Sequence, residues 1–263
     1  MAIHLHNVGH LTDEPSIVRA DALISEPTIK ADYVLANPPF GKKSSMTVTN
    51  EEGEEDKESL TYERSDFWVT TSNKQLNFLQ HIVSMLKKDG KAAVVLPDNV
   101  LFEGGVGERV RKKLLAGCDV HTILRLPTGI FYANGVKANV IFFDNKPKSE
   151  KIQTKGIWFY DLRTNQRFTL KTRQLRQSDL SDFIQCYNPE NRFERQETER
   201  FKYFSYDEII ARDKTSLDIF WLKDNSLDNL DDLPSPEVLQ QEIIEHLEAA
   251  LDAFKSVAIS LKN

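Results

Sequence analysis

Short apolar runs alternate with amphipathic helix patterns along the first 146 residues, and this alternation is the strongest constraint on the fold. Helical spacing of apolar residues covers 76–86 and 110–115. Four apolar runs are typical of buried strands: residues 33–36, 92–96, 120–126 and 140–143. Strands that alternate with helices indicate an α/β architecture with a mostly parallel sheet, in which ligands bind at the carboxyl ends of strands. Asn37 stands at such an end.

The two helix patterns have recognisable limits. Ser72 and Asn73 are capping residue types before the first helix, and Gly90 is a stop signal after it. The second pattern predicts a basic helix, and the glycine cluster at 104–107 before it is predicted to be a turn. The basic residues of this helix are Arg109, Arg111, Lys112 and Lys113.

The composition excludes several classes of protein. With 40% hydrophobic and 28% charged residues, the chain is not disordered. No apolar run approaches the roughly 20 residues of a membrane helix, and residues 1–10 lack the features of a secretory signal. We therefore expect a cytoplasmic protein with no membrane partner. Cys118 and Cys186 alone form neither a disulfide framework nor a four-cysteine zinc site, so no metal is expected.

Charge is unevenly distributed along a chain whose net charge is −6. Residues 151–176 hold seven basic residues and one acid, and residues 224–252 hold nine acids without Lys or Arg. Both blocks could be ordinary solvated faces. Alternatively, the basic block forms a surface near a polyanion and the acidic block forms a tail directed elsewhere. Residues 51–58 hold six acids and one Lys, and we predict a long mobile loop over 42–60.

Three regions follow from these patterns. Residues 1–146 are predicted to form a partial α/β domain, and residues 147–233 a basic extension and connecting region that begins with one more strand over 157–162. Pro234 and Pro236 precede a predicted assembly helix within 234–263. Its apolar residues recur every seven positions, so this helix needs a partner surface in this chain or in another.

The sequence Asn37-Pro38-Pro39-Phe40 is the candidate catalytic motif of the chain. An exocyclic or amide nitrogen is a poor nucleophile, because its lone pair is delocalised. The side-chain oxygen of Asn37 and the carbonyl of Pro38 can both accept hydrogen bonds from one NH2 group and turn that lone pair toward an electrophilic methyl. Proline makes the loop stiff, and Phe40 offers a face for a flat base. The alternative is a structural turn with Phe40 in the core.

A base inside a duplex cannot reach such a loop, so the nucleotide must be flipped at a cost of a few kcal/mol. Stacking of the base on an aromatic ring contributes roughly 1–3 kcal/mol of favourable free energy. Because the two energies are similar, Phe40 is a candidate holder of an extruded base.

The chain resembles the modification (M) subunit of type I restriction-modification systems, the gamma-type DNA adenine-N6 methyltransferases. The resemblance covers nearly the whole chain, which looks like the carboxyl-terminal half of such a subunit. The matching stretches are 36–41, 71–76, 93–102, 126–132, 160–164 and 216–222.

This resemblance implies a Rossmann-like methyltransferase sheet, S-adenosyl-L-methionine as methyl donor and adenine in double-stranded DNA as substrate. It also implies a specificity subunit, a second M subunit and, as a further candidate, a restriction subunit. Asn37, Pro38, Pro39 and Phe40 take the catalytic positions. Phe131 corresponds to an aromatic residue on the other side of the base, and Asp21 to an acid against the cofactor's adenine.

The family's Gly-rich loop, which cradles the methionine part of the cofactor, is absent. We therefore expect the carboxyl half of a sheet with an exposed edge and an apolar seam. The missing amino-terminal half would be a separate polypeptide, or the chain would be truncated, and the isolated chain would bind cofactor weakly or not at all. Two other functions remain open at this point: a non-catalytic interaction module of the assembly, and an RNA or protein-glutamine methyltransferase.

Overall fold

The computed structural model describes residues 19–41, 45–49, 55–59, 61–131 and 136–224, together with helical positions 240, 243, 244 and 247. The strands are β1 (Ala31–Ala36), β2 (Ser45–Thr49), β3 (Glu55–Ser59), β4 (Leu86–Pro97), β5 (Cys118–Arg125), β6 (Ala138–Asn145), β7 (Gly156–Asp161) and β8 (Phe201–Ser205). The helices are α1 (Lys74–Met85), α2 (Asp98–Phe102), α3 (Val106–Gly117), α4 (Ser181–Tyr187) and α5 (Tyr206–Ile210).

Six strands form one sheet in the order β1-β4-β6-β5-β7-β8. β1 pairs parallel with β4 and β5 pairs parallel with β7, whereas β6 is antiparallel to both β4 and β5, and β8 is antiparallel to β7. Strands β1, β4, β5 and β7 therefore all run in one direction. Their carboxyl ends meet at one side of the sheet, which we call the carboxyl edge.

The α/β class is confirmed, but the expectation of a mostly parallel sheet is wrong, because three of the five strand pairs are antiparallel. β6 inserts between β4 and β5 and opposes both. Pro127, Gly129 and Gly135 interrupt any helix pattern between β5 and β6. Without a crossover helix the chain returns antiparallel. The predicted strand over 157–162 is confirmed as β7, and the sheet continues past residue 146 because β7 and β8 extend it.

Helix α1 begins as predicted and ends earlier than predicted. The Asn73 side chain accepts hydrogen bonds from the backbone N–H groups of Gln75 and Leu76 at 3.0 and 3.2 Å. The helix ends at Met85 rather than near Gly90, because Leu86 already belongs to β4.

The sheet has a hydrophobic core on each face. Side chains alternate along β4 and β6, so that Val94 and Ile141 lie in one core and Val95 and Val140 in the other. Helices α1 and α3 contribute to the first core, and Phe183 of α4 to the second.

The predicted basic helix is α3, but one of its cations does not face solvent. Arg111 is buried and donates hydrogen bonds to the carbonyl oxygens of Val100 at 2.9 Å, Lys214 at 2.6 Å and Thr215 at 3.1 Å. Burial lowers the pKa of this guanidinium to about 10. Arg111 thus joins α3 to the turn at 213–216 and offers no charge to a ligand.

Two further predictions concern residues 42–60 and residues 234–263. The long loop predicted over 42–60 is wrong in part, because β2 and β3 pair antiparallel from Ser45 opposite Ser59 to Thr49 opposite Glu55. The β-branched run Thr47-Val48-Thr49 favours a strand there. The assembly helix within 234–263 lies outside the described residues, except for four helical positions of which Ile243, Ile244 and Leu247 are exposed.

The predicted exposed edge and apolar seam are confirmed in the described part of the chain. β1 is the last strand on its side of the sheet, with β4 as its neighbour. Tyr33 and Leu35 of this strand are 71% and 84% exposed, and Ile24 and Ile29 before it are also exposed. Among the described residues, no helix combines the length and apolar character that crossing a membrane requires.

Candidate active site

Three loops and the first turn of helix α2 meet at the carboxyl edge of the sheet. The loops follow β1 (37–40), β5 (126–131) and β7 (162–176), and α2 begins at Asp98, directly after β4. Because these strands run in the same direction, the predicted Asn37 loop shares its side of the sheet with the other two loops and the start of α2. This is the position at which α/β sheets bind ligands.

The 37–40 loop leaves β1 with alternating exposure. Asn37 and Pro39 are exposed, Pro38 is buried and Phe40 is half-buried. The buried Pro38 and its fixed φ anchor the loop, while the Asn37 side chain faces solvent at the end of the strand. Asn37 is therefore accessible to a substrate.

Two amide side chains hold this loop in place. Gln75, which is 2% exposed, donates from Nε2 to the Phe40 carbonyl oxygen at 2.5 Å. The Nδ2 group of Asn99 donates to Oε1 of Gln75 at 2.7 Å. The amide of Gln75 is thereby fixed from both ends. The hydrogen bonds from Asn99 to Gln75 and from Gln75 to Phe40 therefore connect the first turn of α2 with the loop after β1.

An ion pair joins the other loops. Arg163 donates to both carboxylate oxygens of Asp98, at 2.7 and 2.9 Å, and also to the carbonyl oxygens of Leu126 and Ala138, both at 2.8 Å. Burial alone would raise the pKa of Asp98, but the hydrogen bonds and charge of Arg163 outweigh it and lower that pKa. The Asn139 side chain donates to the same carboxylate at 2.8 Å. Arg163, in the loop after β7, therefore fixes that loop relative to the start of α2 and to the loop after β5.

The structure brings the predicted residues Phe40 and Phe131 together. Their ring centroids are 5.3 Å apart and their planes meet at 77°, an edge-to-face contact. A base stacked between two parallel rings needs roughly 7 Å, twice the van der Waals separation of carbon atoms. One of the two rings must therefore turn or move before a base lies between them. The assignment of Phe131 to the base remains a prediction.

Asp21 occupies a turn and not the end of a strand. Its Oδ1 atom accepts a hydrogen bond from the Leu23 backbone N–H at 2.9 Å, and its Oδ2 atom accepts one from the Tyr62 hydroxyl at 3.4 Å. Asp21 is exposed, and its carboxylate stabilises the turn at 21–24. A role against the cofactor's adenine remains a prediction.

The described residues do not by themselves fit a complete cofactor site. The turn predicted at 104–107 is confirmed for Gly104 and Gly105, the latter with φ 62°, whereas Val106 and Gly107 already belong to α3. No group of three or more His, Cys, Asp or Glu that could hold a metal occurs among the described residues. Within this part of the chain, Asp21 is the acidic candidate for a contact with the cofactor.

Sequence reasoning missed Gln75, Asn99 and Arg163 as site residues. All three lie in stretches that carry the family resemblance. One signal for Gln75 was present in the sequence, because this residue lies next to the apolar positions of a predicted helix. A buried amide at such a position requires hydrogen-bond partners.

The chain is similar to known proteins over nearly its whole length. The sequence model of N-6 DNA Methylase matches residues 1–219. The type I restriction enzyme EcoKI methylase subunit of Escherichia coli K12 is 37% identical over 96% of this chain and 52% of its own length. The StySJI methylase subunit of Salmonella typhimurium is 36% identical over 94% of this chain and 50% of its own length.

A crystal structure supports the same similarity in three dimensions. The EcoKI M protein superimposes with a TM-score of 0.71 at 35% identity, covering 100% of this chain and 57% of that protein. The chain thus spans about half the length of the curated relatives that it matches.

Proposed function

The chain belongs to the N-6 DNA methylase family, and we propose that it carries the catalytic loop of a DNA adenine-N6 methyltransferase in a type I restriction-modification system. One observation carries this proposal: an exposed Asn37 at the carboxyl end of β1, in a loop whose Phe40 carbonyl is held in place by Gln75. The restrained loop can present the Asn37 side chain and the Pro38 carbonyl to an amine.

Asn37 and Pro38 would orient the reacting nitrogen. The Asn37 side-chain oxygen and the Pro38 carbonyl accept hydrogen bonds from the two N–H groups of the adenine amine, so that the nitrogen lone pair is turned out of the plane of the ring toward the methyl group to be transferred. Holding a reactant in its reactive geometry lowers the barrier without any change of protonation. The Gln75 bond to Phe40 supports this role, since it restricts the backbone two residues beyond Pro38.

Phe40 would stack on the flipped adenine. Its ring is half-buried and is held from one side by the edge contact with Phe131. When the base enters, we propose that Phe131 turns away from this contact and closes on the opposite face of the base. Stacking on the two rings then offsets the few kcal/mol needed for flipping.

S-adenosyl-L-methionine would supply the methyl group when bound. Among the described residues, Asp21 is the one that we assign to its adenine. The chemistry assigned to this chain is the recognition and orientation of the base.

The open edge of β1 supports a partner that completes the sheet. Tyr33 and Leu35 are exposed on a strand whose outer backbone groups have no neighbouring strand among the described residues. Exposed apolar edge strands readily pair with another segment. We propose that this segment belongs to an amino-terminal half equivalent to the remaining length of the relatives. The assembly would also include a specificity subunit, a second M subunit and a restriction subunit.

Transfer of a labelled methyl group from S-adenosyl-L-methionine to duplex DNA tests this function. The chain is assayed with a specificity subunit, with and without a supplied amino-terminal half, and with RNA or protein in place of DNA. We expect transfer to DNA that depends on the added half. Transfer to RNA or protein would identify the related enzyme class. Stable assembly without any transfer would indicate a non-catalytic module.

A further inference from the structure

The loop after β7 concentrates positive charge at the carboxyl edge. Residues 167–176, which we call the basic loop, contain Arg167, Lys171, Arg173 and Arg176, and all four are exposed. No acidic residue occurs from position 162 to position 178. Since the whole chain has a net charge of −6, this loop is a local reversal of the overall charge.

The basic loop is an ordered turn. The Thr169 backbone N–H donates to the Arg173 carbonyl oxygen at 2.9 Å, and Oγ1 of Thr169 accepts from the backbone N–H groups of Thr172 at 3.0 Å and Arg173 at 2.8 Å. The Arg173 guanidinium lies 5.0 Å from the centroid of the Phe168 ring, a cation–π arrangement. Lys171 and Arg173 are thus presented at the tip of a defined turn.

Two anchors fix the basic loop beside the candidate active site. Arg163, four residues before the basic loop, is bound to Asp98. The next residue, Asn99, donates a hydrogen bond to Gln75, which in turn holds the Phe40 carbonyl. The Phe168 backbone also packs against Gly129, whose φ is 80°, and a Cβ atom at Gly129 would collide with the Phe168 carbonyl oxygen. Gly129 is two residues from Phe131, which contacts Phe40. A short series of contacts therefore connects the loop to the ring pair.

We propose that the basic loop binds the phosphate backbone of duplex DNA next to the base that enters the Phe40 site. This inference rests on the proposed function and specifies where the substrate lies. Phosphates bind Arg through paired hydrogen bonds and Lys as a point charge, and both residue types are present at the tip. A loop fixed to the reacting residues sets the register of the duplex, whereas base-edge contacts carry sequence information. Selection of the sequence is left to another chain.

The salt dependence of DNA binding tests the proposal. Binding of a fluorescein-labelled duplex to the full chain with the specificity subunit is measured by anisotropy at several salt concentrations. For Lys171→Ala/Arg173→Ala, loss of two phosphate contacts lowers the slope of log K against log salt by about 1.8, at 0.9 per contact. The matched control is Lys88→Ala/Lys91→Ala, which removes two exposed lysines near the start of β4, at the opposite edge of the sheet. Its slope should equal that of the wild type.

A charge-retaining variant separates charge from folding. Lys171→Arg/Arg173→Lys keeps both cations and should restore the wild-type slope. Equal slopes in the basic-loop and control variants, or no duplex binding by the wild type, would overturn the proposal. So would a change confined to binding of the specificity subunit, which would make the loop a protein contact. Methyl transfer measured on the same samples reports the proposed function separately, because transfer with an unchanged slope would leave that function standing.

Discussion

Arg163→Met removes the group that holds two loops of the candidate active site and the start of α2 together. The side chains of Arg163 and Asp98 are 11% and 15% exposed, so solvent screens their interaction only weakly. Removing one partner of a buried ion pair costs about 3–5 kcal/mol. Because these two groups keep some contact with water, we expect a loss near the lower limit, about 3 kcal/mol in the free energy of unfolding. A chain of this size then loses roughly 6–12 °C in melting temperature.

Urea unfolding followed by tryptophan fluorescence measures this loss, since Trp158 lies on β7, the strand that leads to Arg163. The control is Lys112→Met, which breaks an exposed pair with Glu108 whose side chains are 50% and 28% exposed. Such pairs contribute about 0–1 kcal/mol. In a double-mutant cycle, Asp98→Asn and Arg163→Met should show a coupling energy of about 2 kcal/mol. Equal losses for Arg163→Met and Lys112→Met would refute the role assigned to the pair.

Three further predictions follow from the structure. Gln75→Leu removes the donor to the Phe40 carbonyl and should lower kcat for methyl transfer by roughly 10- to 100-fold while the Kd for DNA changes little; a parallel loss of DNA binding would argue against this role. The pKa of Asp98 lies below its ordinary value of 3.8. Its pair with Arg163 therefore stabilises the fold fully at pH values above 3.8, and this stability is lost as the pH falls through the lowered pKa. Asp98→Asn should therefore flatten the acid side of a plot of unfolding free energy against pH, and an unchanged plot would contradict this. Burial raises the pKa of Cys118 to about 12, so in Cys186→Ser the remaining thiol should react with a thiol reagent at pH 8 only at the rate of unfolding.

Local patterns predicted much of the scaffold. The cap at Asn73 and the apolar spacing of α1 involve residues close in sequence, and both are found in the structure. Strands β1, β5, β6 and β7 were predicted to within two residues at each end. The pairing of β6 was not, because the choice of neighbouring strands depends on contacts between distant segments.

The same distinction applies to the candidate site. The Asn37 loop was predicted because its residues are contiguous and the chemistry of each is specific. Gln75 contacts Phe40 across 35 positions of sequence, and Arg163 contacts Asp98 across 65. No periodicity or spacing marks such pairs, so only the folded chain identifies them as parts of one site.

The most direct test of the central claim is the appearance of N6-methyladenine in duplex DNA after incubation with the reconstituted assembly and S-adenosyl-L-methionine. Nuclease digestion and mass spectrometry identify the modified base. The account predicts N6-methyladenine with the wild-type chain and none above background with Asn37→Ala, although both chains assemble and bind the duplex equally. Equal amounts of N6-methyladenine from the two chains would contradict the assignment of Asn37 to the reacting amine.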